Sequence, residues 1–351
     1  MESIKIKQQF PNLGLRIIYA YIAAYPEFVA VSDNKEKIEA QRQMHAFLYD
    51  TLKLIYAHPE LVNIKEQDDE CYKNKEMSNS NPVLIDKMAK IESKLIDFYE
   101  LLYKIGTAGT INNKIMTISK SSLNISKKTY QKLEKLGLQV IDDNLSFSLA
   151  SKIYPELFSG LKQYIDLETG DLIKRKFITN FILGRHSKKT YSAVQMFGRL
   201  LKNPDLLGNL EEFFIQKGFI CTNDMLSVTW VKQYPNKKKG IFAVRYYWRN
   251  EDPLSFEVQI PNFRTIFDQY EQLPDVWKNI IFSRTKTCNG CNYCTQMDKN
   301  HVRRRLAVLL RNGNITENKC PLYPDFSWYN LSFEETKTIQ QLYQLSDSNL
   351  I

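Results

Sequence analysis

The sequence predicts an α+β fold. Its N-terminal half is mostly helical with a small sheet; its C-terminal half is an antiparallel sheet with flanking helices, ending in a four-cysteine metal-type site. Three observations predict this. Apolar residues recur at helical spacing over residues 35–58 and 83–105. Residues 219–260 hold β-prone runs broken by the turn-rich stretches 235–240 and 250–253. Four cysteines, Cys288, Cys291, Cys294 and Cys320, gather near the end of the chain. With 351 residues, two domains are expected: 1–170, helix-rich, and 171–351, basic, with a cysteine-cluster subdomain at 284–326.

Taken in order, residues 15–25 are apolar but too short to span a bilayer, and they carry Arg16, so a buried helix or strand is expected. In 35–58, Ile38, Phe47, Leu48, Leu52 and Ile55 share one helical face, and Pro59 marks the end. The polar stretch 63–82 reads as a surface loop. A second helix follows over 83–105, with Gly106 placed to stop it. Residues 111–118 are β-prone, Ser126 is an N-cap for a helix to Leu136, and 138–149 reads as a strand or hairpin around Asp142-Asp143-Asn144. A winged helix-turn-helix over 126–149 would need two preceding short helices where the β-prone run stands. Tyr154-Pro155-Glu156 opens another helix. Beyond it, 190–201 and 205–217 read as helices, the second capped by Gly218. Strands are expected at 219–231, 240–249 and 254–260, then helices at 263–270 and 274–282.

The cysteines carry the chemistry. In Cys-x-x-Cys the backbone reverses over two residues, so two thiolates can reach one metal; Gly290 eases that turn. Cys294 adds a third thiolate, and Cys320 can complete a tetrahedron from a neighbouring loop. Soft thiolate ligands select zinc or an iron–sulfur cluster over magnesium or calcium. A structural Zn2+ is the first reading. An iron–sulfur redox centre is the alternative, because Cys-x-x-Cys-x-x-Cys followed by Cys-Pro resembles half of a bacterial ferredoxin signature, although with a far longer gap before the fourth cysteine. An unoccupied thiol cluster or disulfides remain open. Four thiolates leave no open coordination position for catalysis. His301 is read as a solvated loop residue, and Cys71 and Cys221 as bystanders.

The segment 284–298, with Cys320-Pro321-Leu322-Tyr323-Pro324 after it, resembles uncharacterised bacterial proteins that share a C-terminal cysteine cluster. The resemblance covers mainly the last third of the chain. It implies that the cysteines belong together and brings no activity or catalytic residue.

The net charge of +9 is unevenly placed. Residues 1–170 carry 22 basic and 22 acidic side chains, whereas 171–311 carry 24 and 12. The excess concentrates at Lys174, Arg175 and Lys176, in 185–189, at Lys237, Lys238 and Lys239, and at Arg303, Arg304 and Arg305. These are the candidate contacts to nucleic acid or another anionic partner. No dinucleotide-binding, Walker, zinc-protease or nucleophile-elbow motif is present. The sequence leaves enzymatic activity open and leans toward a binding or regulatory protein, with a small-molecule sensor as a further alternative. Without a signal-peptide or membrane-span pattern, a cytoplasmic protein that does not contact membranes is expected.

Overall fold

The computed structural model describes residues 13–64, 82–167, 175–186, 189–224, 226–234, 237–246, 254–259, 263–288, 295–297, 303–305, 307–324, 326–329 and 331–348. The fold is α+β, with antiparallel pairing wherever a strand register is defined. The chain divides into two compact units. The first comprises Met1–Leu200 with Asn223–Leu226 and Tyr246–Glu251; the second holds the remainder. The expected loop at 63–82 lies outside the described residues from 65 to 81.

In the first unit, α1 (Leu13–Ala23) is the expected apolar segment, with Ile17, Ile18 and Tyr21 buried. The long helix α2 (Lys35–Ala57) starts at Asn34, whose side chain accepts from the Lys37 N–H, and stops before Pro59. The next helix, α3 (Pro82–Ala108), does not stop at Gly106. A Cβ on Gly106 would lie 2.5 Å from Ile165 Cδ1 and 2.6 Å from Leu161 Cγ, so the glycine serves close helix packing, not termination.

The β-prone run is a hairpin, β1 (Thr110–Asn112) and β2 (Ile115–Ser119), turned by Asn113 and Lys114 at positive φ. Next comes α4 (Lys127–Lys135), whose N-cap Ser126 accepts from the Thr129 N–H at 3.2 Å. Gly137, at φ +80°, then lets the chain leave α4 for β3 (Leu138–Asp142) and β4 (Ser146–Ser151). The sheet order is β1-β2-β4-β3. A hairpin, not a helix pair, therefore precedes α4.

The helix α5 (Leu157–Leu167) lies across α2, and Gly160 is the point of closest approach. The unit closes with α6 (Arg175–Ile182) and α7 (Ala193–Phe197), the latter opened by a reciprocal Ser192–Gln195 capping box. Its core is rich in phenols that bond to backbone: Tyr99 Oη donates to the Leu48 carbonyl at 2.9 Å and Tyr164 Oη to that of Arg185 at 2.8 Å.

The second unit begins with α8 (Pro204–Gln216). The strand expected over 219–231 is two strands, β5 (Ile220–Asp224) and β6 (Ser227–Tyr234), separated by a turn that apolar patterning alone conceals. Then come β7 (Lys237–Tyr246) and β8 (Leu254–Val258). They are followed by α9 (Phe263–Asp268) and α10 (Asp275–Arg284). A three-stranded sheet follows, formed by β9 (Thr285–Thr287), β12 (Val308–Asn312) and β13 (Ile315–Pro324), with the short ribbon β10 (Thr295–Met297) and β11 (Arg303–Arg305) between them in sequence. β14 (Ser327–Trp328) extends the meander to the order β14-β8-β7-β6-β5, and α11 (Phe333–Ser348) packs on α8. Both α9 and α10 pack against the three-stranded sheet. The apolar centre is a ring cluster of Phe214, Phe219, Trp230, Phe242 and Tyr343.

Candidate metal centre

Two of the four expected thiol ligands are described, at paired strands β9 and β13. Thr287 on β9 stands opposite Lys319 on β13. Pairing continues one step further, with the Cys288 N–H donating to the Asn318 carbonyl at 2.7 Å. Cys288 and Cys320 are each one position removed from the Thr287–Lys319 pair. Cys320 stands at the start of a register irregularity between Lys319 and Pro324, so regular side-chain alternation does not carry past the Thr287–Lys319 pair. Cys320 is buried and Cys288 half-buried.

The Thr287–Lys319 face carries a polar clamp. The Lys319 ammonium sits 2.8 Å from Glu317 Oε2 and 4.3 Å from the centre of the Phe282 ring, while Thr287 Oγ1 donates to Glu317 at 2.6 Å. Hydrogen bonds from Lys319 and then Thr287 hold the Glu317 carboxyl below its ordinary pKa. With Lys319 buried, a one-residue slip of β13 would strand its charge, so the clamp fixes the register that aligns the cysteines.

Cys291, Cys294 and His301 lie outside the described residues. Among the described residues, no group of three or more His, Cys, Asp or Glu side chains is gathered as a metal site would require. β10 begins directly after Cys294, and its register sets Thr295 opposite Arg305, Gln296 opposite Arg304 and Met297 opposite Arg303. The arginine triplet thus lies on the strand paired with the continuation of the cysteine run. Cys221 stands apart: burial, helped by Glu211, pushes its thiol up to about 12, the signature of an inert structural cysteine.

No family model matches the chain, and no curated protein or solved structure does either.

The remaining basic candidates fall on different elements. Arg175 and Lys176 begin α6, and Lys174 lies outside the described residues. Lys237, Lys238 and Lys239 are not in the turn that the sequence predicts but in β7, opposite Tyr234, Gln233 and Lys232. Strand pairing reaches Lys237, which confines the connection to residues 235 and 236. Arg185, placed by sequence in a solvated basic run, is only 1% exposed, and its Nη1 lies 3.3 Å from Met196 Sδ. The run therefore contributes less surface charge than its composition suggests. Among the described residues no helix is long and apolar enough to cross a membrane.

Proposed function

We propose that this chain is a non-enzymatic binding or regulatory protein whose C-terminal segment is stapled by one Zn2+ held by Cys288, Cys291, Cys294 and Cys320. The observation that carries this reading is the β9–β13 pairing, which sets Cys288 and Cys320 each next in sequence to the paired Thr287 and Lys319 despite the 31 residues between the two cysteines. The donor set fits a structural ion: four thiolates satisfy tetrahedral zinc and leave no position for substrate. Such a site contributes on the order of 10 kcal/mol of coupled binding and folding energy. Arg303, Arg304 and Arg305 lie on the strand paired with the continuation of the cysteine run, and a dianionic tetrathiolate would favour such basic neighbours. The basic surplus of residues 171–311 is proposed to serve an anionic partner such as nucleic acid.

Elemental analysis of protein purified without oxygen tests the staple, with about one zinc per chain expected. Cys288→Ser and Cys320→Ser should each lose the metal and lower the melting temperature. A metal-free protein whose melting temperature is untouched by either substitution removes the proposal. A brown sample containing iron and inorganic sulfide replaces zinc with the iron–sulfur reading.

A further inference from the structure

The first unit contains a cationic cleft that its balanced overall charge conceals. Its volume is about 370 Å³, and Glu60, Leu61, Asn63, Ile64, Lys128, Gln131, Lys132 and Lys135 line it. Leu61 and Ile64 are buried and give it an apolar floor. Lys128, Lys132 and Lys135 follow one another at i, i+4 and i+7, so all three project from one face of α4. Asn63, held in the left-handed region at φ 57°, turns its carbonyl to Lys94 Nζ at 3.0 Å and its side-chain oxygen to Lys132 Nζ at 3.5 Å.

Two features set this face apart. Five other lysines of the same unit have carboxylate partners: Lys53 with Asp50, Lys90 with Asp86, Lys104 with Glu100, Lys114 with Glu156 and Lys120 with Asp142. Lys35, Lys37, Lys127, Lys152 and Lys162 stand singly without one among the described residues; the cleft is where three such lysines gather. Among the described residues, Lys128, Lys132 and Lys135 have none, and Glu60 of the cleft faces His58 at 3.5 Å. The start of the helix also runs against its dipole. Its first turn contains no acid, and Lys127 and Lys128 stand at the positive end of the helix dipole. Like charges stacked on one face are unfavourable until an anion arrives, and Lys128 also opposes the helix dipole, whereas Lys132 and Lys135 in the last turn are favoured by it. Such local violations without a folding benefit gather at functional sites.

We infer that this cleft binds a phosphate-bearing small molecule, with Lys128, Lys132 and Lys135 as its phosphate contacts. Three ammonium groups against one carboxylate leave a surplus that matches a doubly charged phosphate or a diphosphate. The volume falls in the range of small-ligand sites. Lys132 is the sensitive member, because partial burial and the neighbouring Lys128 both disfavour its charged form until a counter-anion is present. The site is independent of the cysteine cluster and survives if the zinc reading fails.

Inorganic pyrophosphate titrated calorimetrically into the full chain is the test. Binding in or below the millimolar range is expected, weakening with added salt. Lys132→Gln should weaken it at least about tenfold, and Lys128→Gln with Lys135→Gln as much again. Melting temperatures of these variants should stay level or rise, because repulsion is relieved. Absence of pyrophosphate binding overturns the inference, as does unchanged affinity in the triple glutamine variant. If the chain ignores pyrophosphate but binds a single-stranded oligonucleotide through the same three lysines, the cleft is a nucleic-acid contact and the small-molecule assignment is wrong.

Discussion

His45 sits among the rings of Tyr25 and Phe28, its N–H donating to the Pro26 carbonyl and its Nε2 buried without a partner. Burial outweighs the Pro26 bond, Arg199 and His186 add positive charge, and the imidazole pKa falls to about 4. His186, packed on Tyr164, is likewise held to about 4 by burial and then Lys189. Both folded values lie below the unfolded one, so acid favours the unfolded chain. Stability should be full above about pH 6.5 and decline as pH falls toward about 4, by at most about 3 kcal/mol per histidine. Urea unfolding across that window measures the slope. The double variant His45→Gln, His186→Gln should flatten it; an unchanged slope would assign acid sensitivity to carboxylates instead. The sequence could not show this, since isolated histidines reveal nothing of the rings that will enclose them. Arg185 carries the same lesson. The basic residues beside it in sequence predict a solvated position, while tertiary packing buries it.

Helix α5 crosses α2 so closely that a Cβ on Gly160 would stand 2.1 Å from the Ala40 carbonyl oxygen and 2.7 Å from its carbon. Backbone cannot yield as a flexible side chain can. Helix propensity alone predicts that Gly160→Ala stabilises α5 by about 1 kcal/mol. Packing predicts a loss of at least about 2 kcal/mol as the helices are forced apart. The sign of the change in urea unfolding decides between them, and destabilisation is expected. Most helices were legible because their signals are local: the apolar stripe of α2, the Ser126 cap of α4 and the proline after α2. Gly106 misled because a stop glycine and a packing glycine look alike until the opposing Leu161 and Ile165 are known. Residues 219–231 misled for a related reason, since a tight turn inside a β-prone run leaves the apolar pattern nearly intact. The cysteine spacing predicts a cluster, but only strand pairing could show that Cys288 and Cys320 each follow a member of the paired Thr287–Lys319 position. The lysine face of α4 went unread in the sequence, because spacing at i, i+4 and i+7 shows a charged stripe and only the Asn63 corner makes it a cleft.

At the scale of the molecule, a staple predicts damage confined to the segment it holds. Chelation of bound metal should speed amide exchange in β9, β12 and β13, while the α2–α5 crossing keeps its protection in the same sample. Uniform loss of protection, or none, would rule out a local staple. The charge map divides along similar lines: the net +9 belongs mostly to residues 171–311, but a neutral total over 1–170 still permits a concentrated cationic face. The β9–β13 register has one more consequence, and it concerns time. Three residues of β9 find their partner only after 31 intervening residues have been made, so this pairing closes a long loop at an entropic cost that local hairpins escape. On the zinc reading, Cys288, Cys291 and Cys294 leave the ribosome together and would hold the ion in an open three-thiolate grip. Cys320 would complete the grip only when β13 docks. Capture of the metal and closure of the sheet would then be successive stages of one assembly, with the last ligand acting as its latch.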